Sequence, residues 1–346
     1  MNRKPAIALL FTLSCMTIQA ATNYTAERIT VEGFDVIRLA DAATQTEVRI
    51  APGMGNNAYS MKVKGHDVMW SPYRTLAEWK AKPALLGNPF LAPFANRIDQ
   101  DAFFANGKKY LLNGELGNLR RDGNQKPIHG LVLNAVWEVK SVRATDDGAE
   151  VTSRLEFWRH PDWMAQFPFA HTLEMTYRLA AGVLEVETVI DNHSTDPLPV
   201  SVGYHPYFQL TDAVRDDWQV TIAAAKNVAL SSILTPTGET SARDAGTVVA
   251  LKGSQLDNVF TDLVRGKDGR AVFTVKGKSQ HLTVEYGPNY PVAVVYAPPG
   301  RGFICFEPMA GVTNVFNLGH AGKFPLQSVS PGAQWRESFW IKPGGF

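Results

Sequence analysis

Cysteine is scarce: of 346 residues only Cys15 and Cys305 carry a thiol. Cys15 lies in a segment that reads as a removable leader, so the folded product would keep one thiol and could form no intramolecular disulfide. Stability has to come from core packing. A multi-cysteine zinc site is excluded on the same ground, and the eight histidines show no HExxH or similar paired spacing. Nothing in the sequence calls for a metal. Charge of one sign is lacking too: 34 Lys and Arg face 33 Asp and Glu, leaving a formal net charge of +1. No whole-molecule field favours nucleic acid or an acidic membrane surface, so a ligand must be found by a local site. Internal repeats, charge blocks and low-complexity linkers are absent, and two independently folded domains are not demanded. What is there is a globular composition, 45% apolar and 19% charged, which leaves no long stretch for disorder.

The first twenty residues differ from the rest. Arg3 and Lys4 are followed by an apolar run over 6–18 and by the small residues of Gln19-Ala20-Ala21. This pattern predicts a signal peptide over 1–20 and one mature domain over 21–346, exported to the periplasm or secreted. A membrane anchor is the competing reading, but the run falls short of the ~20 residues a span needs. No later segment is long and apolar enough to cross a bilayer, so no membrane contact is expected once the leader is gone.

Alternation of period two dominates the remainder. Leu173, Met175, Tyr177 and Leu179 alternate with Thr172, Glu174, Thr176 and Arg178, and after Ala180-Ala181-Gly182 the pattern resumes with Leu184, Val186, Thr188 and Ile190. The pair predicts a β-hairpin. Similar runs at 151–158, 271–275, 281–286, 292–296 and 303–307, separated by Gly, Pro and Asn, predict an all-β protein built as a large antiparallel β-sandwich. Helices should be few and short. The best candidate is 75–86, opening on Thr75 and Glu78 as a capping box and limited by Pro83 to about two turns. Polar inserts at 118–126 and 211–217 read as surface loops.

Four segments break the strand pattern with polar groups set among aromatics, glycine and proline: 88–98, 127–130, 203–208 and 305–314. Together they resemble the aldose 1-epimerase (galactose mutarotase) family over about 29–342. Asn96-Arg97-Ile98 resembles its NRI motif, followed by Phe103, Phe104, Gly107 and Tyr110. His129-Gly130, with Trp137 further on, resembles its first histidine motif, and Gly203-Tyr-His-Pro-Tyr-Phe208 its second. Leu256-Asp257-Asn-Val-Phe260 resembles the sugar-binding aspartate segment and Phe306-Glu307-Pro308 the catalytic glutamate. The resemblance implies a galactose mutarotase-like β-supersandwich whose open cleft, on a concave sheet, holds a pyranose. It implies Glu307 as the base at the C1 hydroxyl, His205 as the acid at the ring oxygen, and Arg97, His129, Asp257 and Asn96 as sugar-binding residues. No cofactor and no metal are implied. The partner would be a small sugar, glucose or galactose by default, bound by a monomer or homodimer.

The residue types suit such chemistry. Opening a hemiacetal removes a proton from O1 and delivers one to O5, which needs an acid and a base facing two edges of one ring. A carboxylate and an imidazole serve near neutral pH. If 303–307 is extended, Phe303, Cys305 and Glu307 share one face and Ile304 and Phe306 the other, with Cys305 a small apolar filler beside the carboxylate. The sequence departs from the family at 118–126, where Arg120, Arg121 and Lys126 occupy a longer connection that would flank the entrance, and in lacking the longer His-Gly-Gly form. Alternatives in keeping with these residues are a hexose-6-phosphate 1-epimerase of the same fold, a carbohydrate-binding protein without catalysis, and a glycosidase using Asp257 and Glu307. The leader makes a first testable expectation: N-terminal sequencing of exported protein should begin near Ala21, and recovery of Met1 would refute cleavage.

Overall fold

The computed structural model describes residues 23–346; the leader expected over 1–20 lies outside the described residues. Two large antiparallel sheets, one of nine strands and one of eight, form the body, and a five-stranded sheet from the first strands, Tyr24–Val31 to His66–Asp67, covers one end. The predicted hairpin forms as the strands His171–Ala180 and Val183–Asn192 in the nine-stranded sheet, with Ala180 opposite Val183. Its two turn residues, Ala181 and Gly182, both take positive φ, the left-handed turn whose twist matches that of paired strands. The expected runs at 271–275 and 281–286 also lie in this sheet, whereas 292–296 and 303–307 lie in the eight-stranded one.

The core sits between the two large sheets, where alternation brings one face of each strand inward. Phe306 of the eight-stranded sheet lies 6.1 Å from Phe273 of the nine-stranded sheet, measured between ring centroids, and 6.5 Å from Phe208. Tyr204 crosses the same gap, its ring 4.8 Å from Phe339 and its hydroxyl 2.5 Å from the Thr188 hydroxyl. Along Ile304–Met309 the expected two-sidedness holds: Ile304 and Phe306 belong to this core, while Phe303 and Cys305 pack in a separate cluster with Tyr207 on the opposite side.

Two local expectations are corrected. The helix within 75–86 covers Leu76–Ala81, about two turns as the Pro83 limit implies, with Lys82 out of helical geometry, but its capping box is only half formed. The Thr75 hydroxyl accepts from the Glu78 N–H at 3.1 Å, but the Glu78 carboxylate reaches back to the Arg74 N–H rather than to that of Thr75. The 211–217 insert is not wholly a surface loop either. Arg215 is buried and donates to the carbonyls of Leu251, Ser254 and Ala297 at 2.5–2.6 Å, tying three chain segments together.

Because Phe306 touches both sheets and is fully buried, Phe306→Ala should lower unfolding free energy by about 3–5 kcal/mol in chemical denaturation. A loss under about 1 kcal/mol would mean that the sheets do not share a packed core at this point.

Candidate active site

The two residues expected to exchange protons meet through strand register. In the eight-stranded sheet Gly203 pairs with Met309 and Tyr207 with Cys305. Counting inward from both pairs puts His205 opposite Glu307, and cross-strand neighbours share a face. Pro206 lacks an N–H and breaks the ladder at this point. His205 Nε2 accordingly lies 3.3 Å from Glu307 Oε1, with both side chains buried. Gly203 lets the strands approach: a Cβ there would come within 2.8 Å of Met309 Sδ and the Pro308 carbonyl. One strand further, Val294 pairs with Glu307 and Tyr296 with Cys305, and Asp257 pairs with Tyr296. Asp257 therefore stands diagonally from Glu307 on the sheet face turned away from the core.

The other candidates arrive from loops. His129 N–H donates to the Asn96 carbonyl, Arg97 bridges Ile128, and the Asn314 N–H donates to the Arg97 carbonyl at 2.9 Å. Asn96, His129 and Asn314 all hold positive φ, at 58°, 63° and 65°. Asn and His tolerate this left-handed conformation better than most side chains, and such strain persists where packing fixes it. Gly130, also left-handed, has no alternative residue, since a Cβ would stand 2.0 Å from the Ala92 carbonyl oxygen. The His129 ring meets the His205 ring edge-on at 5.6 Å. Arg97 is fixed twice, Nη1 donating to Asn96 Oδ1 at 3.0 Å and Nε to Asp122 Oδ2 at 2.7 Å.

Glu307, His205, His129, Arg97, Asn96 and Asp257 thus gather on one side of one sheet. Glu307 Oε2, His205 Nδ1 and His129 Nδ1 are buried with no hydrogen-bond partner among the described residues. Unpaired buried polar atoms are costly unless a ligand meets them. Burial raises the Glu307 carboxyl well above its usual range, with Asp257 adding to the shift and Arg97 opposing it. Burial likewise drives His205 down to about 3, helped by Arg120 and Arg97. His129 is pushed well down by burial and by the nearby His205, Arg120 and Arg97, and Asp257 is raised by burial against the pull of Arg97. Both shifts run toward the uncharged forms, a protonated Glu307 beside a neutral His205.

Several residues around the site had not been singled out. Asp122 fell within a segment, Asp122-Gly-Asn, whose composition reads only as a turn. Trp70 lies in none of the expected runs, and Tyr296 reads only as the end of the 292–296 strand. With Tyr207 and Phe303 they form a partly exposed aromatic cluster, in which Tyr207 stacks on the His205 ring at 4.7 Å and Trp70 on Tyr207 at 5.6 Å. The basic loop divides. Arg121 is tied to Asp101 and to the Gln125 carbonyl. Arg120 is exposed, and its charge reaches both histidines. Cys305 packs fully buried, its thiol raised by burial and by Glu307, which fits the apolar filler expected. Hollows of about 400 Å³ beside Tyr59 and Trp79, and of about 410 Å³ beside Lys226 and Phe324, are lined by no histidine and hold no comparable pair.

Comparison with known proteins matches residues 36–342 to the family model described as Aldose 1-epimerase. The solved structure of a galactose mutarotase-like protein from Clostridium acetobutylicum is 22% identical, with a TM-score of 0.82 over 94% of this chain and 99% of its own. Galactose 1-epimerase from Lactobacillus acidophilus NCFM is 15% identical, with a TM-score of 0.73 over 94% of this chain and 100% of its own. At these identities the likeness is one of fold. The uncharacterized protein YphB of Escherichia coli is 27% identical over 125 residues, a stretch spanning 36% of this chain and 38% of that protein.

The protonation state is open to direct measurement. Infrared difference spectra of the free protein at neutral pH should show a protonated carboxyl band that vanishes in Glu307→Gln; its absence would mean that Glu307 is ionised at rest.

Proposed function

The chain belongs to the aldose 1-epimerase family, and on that premise we propose that it interconverts the α and β anomers of a free hexose by acid–base ring opening. The observation that carries the reading is the buried 3.3 Å contact between His205 and Glu307, with a further polar atom of each side chain unpaired. Two proton transfers on one ring require an acid and a base close enough to reach its two edges, and a binding module needs neither.

The proton resting on Glu307 is compatible with this chemistry. Moving it to His205 converts a neutral pair into a carboxylate beside an imidazolium without changing the total charge, and their mutual attraction offsets much of the desolvation. Glu307 then takes the O1 proton while His205 delivers one to O5. The C1–O5 bond breaks, leaving an aldehyde at C1 and a hydroxyl at C5. Rotation about C1–C2 presents the other carbonyl face, and closure runs the same transfers in reverse. The intermediate needs no covalent partner. Arg97, Asn96 and His129 are suited to hold the ring hydroxyls by donating or accepting, and Asp257 to accept from a hydroxyl pair. The partly exposed Trp70 and Tyr296 offer apolar surface to the C–H face of a sugar. The leader read from the sequence supports export and a free rather than phosphorylated substrate.

Polarimetric decay of fresh α-D-glucose and α-D-galactose, run beside a chromogenic glycoside, tests the reading. Mutarotation without glycoside cleavage is expected. Glu307→Gln and His205→Asn should each lower kcat by about 10²–10⁴ with sugar binding retained, and the double variant should lose far less than the product. The productive pair carries one proton. Acidification toward the depressed His205 value, about 3, adds a second and removes the base; raising the pH past the elevated Glu307 value removes the only proton and with it the acid. The profile should thus be a broad bell, with His205 governing the acid limb and Glu307 the alkaline limb. Near-full mutarotation of every sugar by Glu307→Gln would return the cleft to a binding site.

A further inference from the structure

We propose that Asp122 sets both the position and the effective charge of Arg97, making the site select neutral aldoses over acidic ones; the inference rests on the sugar-binding reading of this cleft. The 118–126 connection is not a solvated loop apart from the site. Three short segments lie side by side: Arg97 bridges Ile128, the Ile128 N–H donates to the Arg120 carbonyl, and Arg121 bridges Pro127. Cross-strand neighbours share a side, which places Asp122, two residues from Arg120, on the side from which Arg97 projects.

The carboxylate is organised before any ligand arrives. Its Oδ1 accepts the N–H groups of Asn124 and Lys126, each at 2.9 Å, and the Asp122 N–H donates to the Lys126 carbonyl. These bonds fold the connection around the aspartate. Its Oδ2 is then free to take Arg97 Nε, and the ion pair is largely hidden, with the Arg97 and Asp122 side chains 16% and 7% exposed. Although burial works against it, the Lys126 N–H and Arg97 hold the Asp122 carboxyl below the usual range, so the partner stays charged. With Nε on Asp122 and Nη1 on Asn96, Nη2 has no protein partner among the described residues and is the donor left for a substrate.

That arrangement decides what Arg97 recognises. A lone, sheltered guanidinium is a fork for carboxylate or phosphate. One already neutralised by a carboxylate still donates to a hydroxyl but gains little from an anion. An acidic sugar would also bring a negative charge toward the Asp122 carboxylate, a repulsion that discriminates without weakening neutral ligands. Arg120 is exposed, so its charge is screened more than that of the sheltered Arg97–Asp122 pair, and it is common to every variant compared.

Asp122→Asn separates charge from folding, because the amide oxygen still accepts the loop N–H groups. Mutarotation and calorimetric affinity would be measured at about 0.15 M salt for glucose, galactose, glucuronate and galacturonate. The variant should melt near the wild-type temperature and lose about tenfold or more in kcat/KM for the neutral sugars, mainly through KM, while the acid-to-neutral ratio rises about tenfold. In an Arg97→Gln background the same change should do nothing further to the affinity for neutral sugars, since Asp122 acts on those through Arg97. Equal proportional loss for all four sugars, or an unchanged ratio, would overturn the proposal. Should the wild type bind sugars without mutarotation, the catalytic reading fails while the affinity ratios still decide this one; failure to bind any neutral aldose would overturn both.

Discussion

Removing the Glu307 carboxyl from water is the constraint on which the rest of the site depends. An ionised carboxylate at that depth would cost several kcal/mol, even after relaxation, unless matched by a charge or a full set of donors. The protein supplies neither in full. Burial instead favours the protonated carboxyl and the neutral imidazole set against it. A poised proton of this kind needs a rigid frame, and the strand Ile304–Met309 provides one: it is buried throughout and flanked by Val292–Ala297 on one side and by the two short strands around His205 on the other. The core beneath, through Phe306 and Phe273, holds that strand against the opposite sheet.

Around this pair the backbone carries strain where the side chains must converge. Left-handed conformations at Asn96, His129 and Asn314 cost of the order of 1–3 kcal/mol each, and are kept only because neighbouring segments fix them. The hydrogen bonds from His129 to Asn96 and from Asn314 to Arg97 link the three loops into one unit. Arg97 is the common member, bonded through its carbonyl to Asn314 and through its side chain to Asn96 and Asp122. Changes in any of these loops would therefore be felt first in sugar positioning rather than in proton transfer.

Much of this was legible before the structure, for identifiable reasons. Period two is a local property, so the hairpin at 171–192 and the sidedness of Phe303, Cys305 and Glu307 followed from the order of residues alone. The candidate site residues were legible through the likeness of their segments to the family's motifs, and their roles belong to the proposed reading. The length of the short helix likewise followed from Pro83, which keeps Lys82 from helical geometry. Arg215 was missed because its partners are backbone carbonyls of distant segments, which leave no trace in local composition.

By itself the sequence determined the β architecture and the short helix start, which rest on side-chain type and on spacing within a segment, and its resemblance to the aldose 1-epimerase family pointed to six candidate residues. Only the tertiary structure decided that His205 stands opposite Glu307, that burial pushes both toward their uncharged forms, and that Asp122 belongs to Arg97. Each of these depends on strand register or burial, which sum contributions from segments up to two hundred residues apart. An Asp-Gly-Asn turn and a site aspartate look the same in one dimension; the difference is where the second carboxylate oxygen points, and the folded chain alone fixes that.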